Sequence, residues 1–186
     1  PVEQTLEIVN EQYGRVYFAN RQPGFFSVPV YGEDGQTPLG PGYMAQLYAG
    51  VTVAVMVAVA VPVEFSGNGF FYGDILYLVM VPEGAVAQVE VRVWEAGGGE
   101  TFEAARAGGY LHGRSGVFAV VTGGDLLSPP QFPAMLSAMA SFKVARGFPP
   151  AITGEPADQV SWAGEGAVLG VEATGTEPMV YEWFEG

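Results

Sequence analysis

Short runs of alternating apolar and polar residues, broken every few positions by glycine or proline, organise this chain. The clearest is residues 87–95, AQVEVRVWE, where Val89, Val91 and Val93 fall on one face and Glu90, Arg92 and Trp94 on the other. A period of two is the mark of a strand with one buried face. The same reading predicts strands over 14–20, 25–31, 43–49, 70–81 and 116–122, with turns at GEDGQTPLGPG, SGNG and residues 82–84. An apolar segment at 136–144 follows a Gly- and Pro-rich stretch at 123–133. The best candidate for a helical turn is 101–107, TFEAARA, because Thr101 can cap it and Glu103, Ala104, Ala105 and Arg106 favour helix.

Two segments depart from simple alternation. Residues 51–63, VTVAVMVAVAVPV, are apolar almost throughout and carry Val53, Val55, Val57 and Val59. They predict a strand apolar on both faces, buried within its own domain or covered by a neighbouring molecule. A membrane helix needs about 20 residues, and this valine-rich run is shorter, so membrane insertion is not expected. Residues 2–12, VEQTLEIVNEQ, form a short alternating segment with Val2, Leu6 and Ile8 ahead of the first glycine, Gly14. They read as an N-terminal arm, residues 1–13, able to serve as a donor strand.

Composition narrows the class. Apolar residues make up 49% and charged residues 15%, with 27 glycines and 14 prolines, a mix that favours short strands and tight turns. The expected fold is all-β: an antiparallel β-sandwich domain plus an incomplete immunoglobulin-like β-sandwich. The formal net charge is -13, so no basic footprint exists for nucleic acid. Cysteine is absent, which fits a reducing cytosol or an extracellular protein that avoids thiols.

The C-terminal stretch, PPAITGEPADQVSWAGEGAVLGVEATGTEPMVYEWFEG, carries a more specific pattern. It predicts a first strand over 151–156 continued at 160–162, a second over 167–173 and a third over 179–184. This resembles strands A, B and C of the immunoglobulin-like modules found along large secreted bacterial surface proteins. The resemblance implies a core of Leu169, Val171 and Trp183, with Trp183 as the buried strand-C tryptophan and Val171 where antibody domains have their first cysteine. The blocks GRVYFANR, LGPGYMAQLYAG, PVEF, VPEGAVAQVEVRVWEA, TFEAARAGG and GRSGVFAVVTGG together resemble an N-terminal β domain of proteins exported by environmental bacteria. The expected organisation is thus an arm at 1–13, a β-sandwich domain at 14–124, a linker and connecting strand at 125–148, and a partial immunoglobulin-like domain at 149–186. Both resemblances imply an extracellular or cell-surface location after removal of a signal peptide not present in this chain.

Candidate chemistry is thin. His112 lies in GYLHGRSG with Ser115 three residues on, and no GxSxG, P-loop or HExxH occurs. No catalytic or cofactor-binding residue is assigned, and a loop calcium on Glu33 and Asp34 is a minor alternative. The aromatic runs Phe25-Phe26 and Phe70-Phe71-Tyr72 must each send one member outward, since neighbours on a strand point to opposite faces. The expected role is a structural subunit that assembles with copies of itself by strand exchange. Val2, Leu6, Ile8, Val53, Val55, Val57 and Val59 are its assembly residues. The alternative is a fragment of a longer secreted adhesin or carbohydrate-binding surface protein, with polysaccharide as partner.

Overall fold

A computed structural model describes residues 12–147, 151–162, 164–175 and 180–184. In chain order the strands are β1 (Tyr13–Ala19), β2 (Arg21–Gln22), β3 (Phe26–Ser27), β4 (Tyr43–Gly50), β5 (Val57–Ala58), β6 (Val63–Gly67) and β7 (Phe70–Pro82). They continue as β8 (Val86–Glu95), β9 (Leu111–Arg114), β10 (Phe118–Val121), β11 (Ala134–Met135), β12 (Ala145–Arg146), β13 (Ala151–Gly154) and β14 (Glu172–Thr174). Helix α1 (Phe102–Ala107) and 3-10 turns at Val53–Val55 and Ala96–Gly98 complete the elements.

The protein is all-β, built on one curled, sandwich-like sheet in the order β11-β1-β7-β6-β4-β8-β9-β12, with β10 on β8 and β5 on β4. Alternation decides which side faces inward. On β4 and β8 the pairs Ala45↔Val93, Leu47↔Val91 and Ala49↔Val89 point into the core. There they meet Val16 and Phe18 of β1, Phe71, Leu78 and Val81 of β7, and Phe65 of β6. Complete burial of each valine contributes about 1.5–3 kcal/mol relative to exposure. The pairs Met44↔Trp94, Gln46↔Arg92 and Tyr48↔Glu90 face the other way. Helix α1 covers part of that outer face, with Phe102 and Ala105 against Trp94. As the sequence predicts, Thr101 Oγ1 caps the helix, accepting from the Ala104 N–H at 3.1 Å.

Asn20 pins one end of the core. It is fully buried, donates to Val28 O and Gly69 O at 2.8 Å each, and accepts from the Phe71 N–H at 2.9 Å. One amide thereby ties the end of β1 to the segment after β3 and to the β6–β7 turn, leaving no buried polar group open there.

Three expectations need correction. Residues 125–147 are more than the linker and connecting strand expected there: Leu136, Met139 and Val144 are buried in the main core, β11 runs parallel to β1, and β12 pairs with β9. The apolar segment that follows the glycine- and proline-rich stretch packs into the core through these three side chains. Of the predicted 25–31 strand, only Phe26–Ser27 forms a strand, in a hairpin with β2. Apart from these, the sequence reading misses β9 in the glycine-rich stretch around His112, whose Gly113 comes so close to Lys143 that an added Cβ would lie 2.6 Å from its carbonyl oxygen.

The third correction concerns residues 51–63, which form no continuous buried strand. The chain reverses after Gly50, where an added Cβ would lie 2.8 Å from Val55 O. A 3-10 turn follows, and β5 returns along β4 with Tyr48↔Ala58 and Ala49↔Val57. The absent side chain at Gly50 permits the close approach, so β4 ends in a hairpin.

Candidate interaction surface

The hairpin leaves apolar side chains in water. Val53, Val55 and Val57 are 56%, 42% and 49% exposed, whereas Val59 is half-buried against the core and donates its N–H to Leu47 O at 2.9 Å. Of the four predicted residues in this segment, three are thus on the surface and one is partly structural. Val2, Leu6 and Ile8 lie outside the described residues.

Beside this hairpin runs the long strand β7. One edge pairs with β1 through Gly14↔Leu78, Arg15↔Tyr77, Val16↔Leu76 and Tyr17↔Ile75. The other edge pairs with β6 only at its start, Phe65↔Phe71 and Gly67↔Phe70. Among the described residues nothing pairs with that edge from residue 74 onward. A bulge makes the stretch more irregular: Tyr13 pairs with Pro82 and Gly14 with Leu78, so Val79, Met80 and Val81 have no counterparts on β1. Val81 turns into the core, while Val79 and Met80 are 65% and 53% exposed. Together with Ala49, Val57, Val59 and Leu78 they line an apolar cleft between β5 and β7. The contribution of Val79 and Met80 was missed, although four consecutive apolar residues, Leu78 to Val81, are a signal that period-two burial cannot account for.

A second cluster lies on the face beneath α1. Arg92 Nε donates to Glu90 Oε2 and its Nη1 to Glu103 Oε1, both at 2.7 Å. The Tyr48 hydroxyl donates to Glu103 Oε2 at 3.2 Å. Burial, then the negative charge of Glu103, pushes the Tyr48 phenol above its ordinary pKa. Burial opposes the Arg92 charge, but the bond to Glu90 and the surrounding negative groups outweigh it and raise its pKa. Every member is paired, and the network joins β4, β8 and α1, which gives it a structural role.

The remaining sequence-predicted residues fall apart as chemistry. His112 Nδ1 faces Tyr110 O at 2.9 Å, while Ser115 Oγ accepts from the Val91 N–H and donates to Gly116 O. Asp34 closes its own turn, accepting from the Gln36 and Thr37 N–H groups and the Thr37 hydroxyl. These bonds hold its carboxyl down at about 2, the Thr37 hydroxyl contributing most. The Glu33 carboxylate accepts from the Arg146 N–H at 3.3 Å. Among the described residues no group of three or more acidic, His or Cys side chains is arranged to hold a metal. On β7 the aromatic run divides by alternation, Phe71 packing inward and Tyr72 exposed, whereas Phe25 is exposed in a turn ahead of β3 and Phe26 packs against the core.

In the C-terminal region β13 and β14 pair antiparallel, Ile152 opposite Ala173. The predicted strand segments at 160–162, 167–171 and 180–184 are not strands, and residue 179 lies outside the described residues. Val171 and Trp183 do come together, lining a cavity of about 270 Å³ with Ile152 and Tyr181. Leu169 is half exposed, and Trp183 is 57% exposed, so neither is the buried core residue that the resemblance implies. A two-stranded ribbon has too little apolar surface opposite it to bury them.

Comparison with protein-family models, with curated proteins and with solved structures finds no match to this chain in any of the three. Among the described residues no helix is long and apolar enough to cross a membrane.

Proposed function

We propose that this protein is a structural subunit of an extracellular bacterial filament or surface assembly, self-associating by β-strand exchange. The observation that carries the reading is the edge of β7 that no described strand pairs, lying beside the exposed Val57 of a hairpin that also exposes Val53 and Val55. An edge with apolar flanks is a template for another strand, and a protein that keeps one exposed invites pairing with further chains. Strand addition supplies backbone hydrogen bonds together with side-chain pockets, and a head-to-tail exchange whose rotation does not close builds a filament. The alternating arm containing Val2, Leu6 and Ile8 is the donor. The likeness of residues 14–124 to exported bacterial β domains is the support for an extracellular setting. Removing residues 1–12 and imaging the purified material by electron microscopy tests the reading. Filaments lost on removal support it, and unchanged filaments overturn it.

The C-terminal ribbon favours a second reading, a piece of a longer secreted adhesin or polysaccharide-binding surface protein. Val180, Trp183 and Phe184 are exposed around β13 and β14, as expected of a sheet that further strands complete. The intact mass of the native protein separates the readings: a value well above 19.6 kDa favours the longer protein.

A further inference from the structure

The curled sheet has a gap. β4 and β5 form one wall and β7 the other, and from residue 74 of β7 no described strand lies between them. Among the described residues both walls offer backbone: β5 has β4 on one side only, and β7 has β1 on one side only along this stretch. The floor is the apolar cleft of Ala49, Val57, Val59 and Leu78 to Val81. The outermost strands of the same sheet, β11 and β12, are only two residues long. Among the described residues the β7 edge from residue 74 is the longest stretch of strand edge without a partner, and a strand added there bonds to β7.

The arm matches that gap in length and pattern. Val2, Leu6 and Ile8 occupy even positions, and Glu3, Glu7 and Glu11 odd ones. In an extended strand the first set shares a face and the second faces away. Eight residues span about 26 Å at about 3.3 Å each, comparable to β7 from residue 74 to its end. No charged side chain lines the cleft, so the acidic face would point to solvent.

The arm's point of attachment decides whose gap it fills. Gln12 O accepts from the Glu83 N–H at 3.1 Å, and Tyr13 pairs with Pro82 on the β1 side of β7. A chain's own arm therefore starts on the edge opposite the gap. To fill that gap it must round the end of β7 and reverse within residues 9–12, VNEQ, where Asn10 is the one residue of a type that favours turns, whereas a second copy's arm reaches the gap with no reversal. We infer that the gap between β5 and β7 is the acceptor site, and that it takes residues 2–9 of a second copy, with Val2, Leu6 and Ile8 seated toward Val57, Val59, Val79 and Met80. This rests on the assembly reading above and assigns its acceptor.

The chain has no cysteine, so paired thiols report contact without background. Full-length chains carrying Leu6→Cys or Ile8→Cys together with Val57→Cys or Val79→Cys would be assembled under reducing conditions, checked by electron microscopy, then oxidised. Val57 and Val79 are exposed, so these changes leave the fold intact. A disulfide requires Cα atoms about 4.4–6.8 Å apart, and the four combinations sample neighbouring registers. The expected result is a ladder of linked multimers for at least one pair. Mixing an arm variant with a cleft variant should give linked heterodimers, and an Ile8→Cys, Val121→Cys control should give none. Assembled material without links in any combination overturns the acceptor and leaves the assembly reading standing. Links confined to single chains overturn the second copy as occupant. Wild-type chains that never assemble overturn both.

Discussion

The guanidinium of Arg92 lies over the Tyr48 ring, 3.7 Å from its centroid, and joins β8 to β4 on the face that α1 covers. The stack holds the cation where it can bond Glu90 and Glu103 together. Glu90 is only 5% exposed, so its charge is tolerable only while Arg92 stays in place. A position over an aromatic ring combined with two directed bonds suits guanidinium far better than an ammonium.

Replacing Arg92 by Met should therefore destabilise the fold by about 3–5 kcal/mol, the usual cost of leaving one member of a buried pair. Adding Glu90→Gln to the same chain should recover much of the loss. Urea unfolding of the single and double variants measures both. A single variant within about 1 kcal/mol of wild type would show that the network is solvated.

Asn20→Ala should cost about 2 kcal/mol or more, because the Phe71 N–H and the Val28 carbonyl both lose a partner in a site closed to water. Asn20→Asp keeps the acceptor for Phe71 but turns oxygen toward two carbonyls, so it should be no better than Ala near neutral pH. Thermal unfolding followed by circular dichroism orders the three proteins.

The Asp34 turn gives a pH signature with a definite sign. Its carboxyl is lowered from 3.8 to about 2 by bonds from Thr37 and Gln36. The turn is favoured at pH values above the unfolded pKa, and that contribution disappears as pH falls through about 2. The Gln36 and Thr37 amide resonances should accordingly move together with a midpoint near the lowered value. In Asp34→Ala both should be independent of pH over that range.

Local pattern made half of this fold legible. The alternation over 87–95 gives the buried set Val89, Val91 and Val93, and Thr101 marks the start of α1, because both signals lie within a few residues of their consequence. Long-range partners left no such trace. Nothing near Ala134 announces that it will lie parallel to Val16, and Leu136, Met139 and Val144 fall at the i, i+3, i+8 spacing of a helix face although the segment forms no helix. The valine segment misled for a related reason: its composition favours strand, but Gly50 and the pairing of Ala49 with Val57 turn it back as a hairpin. Of the candidate surface, the exposed valines were readable as an apolar segment, whereas the free edge of β7 exists only once the whole sheet is paired.

Self-association through that surface should strengthen with salt. Each copy carries a formal charge of -13, so approaching subunits repel. Raising salt from about 0.01 M to about 1 M shortens the screening length from about 30 Å to about 3 Å, while burial of Val53, Val57 and Val79 does not depend on charge. The sedimenting fraction should rise over that range and rise further in sulfate, which strengthens apolar burial. A Val53→Thr, Val57→Thr chain should keep its stability within about 0.5 kcal/mol, since both residues are exposed, yet assemble less at every salt concentration. Assembly that weakens with salt would instead mean that ion pairs drive it, and the apolar surface would lose its role.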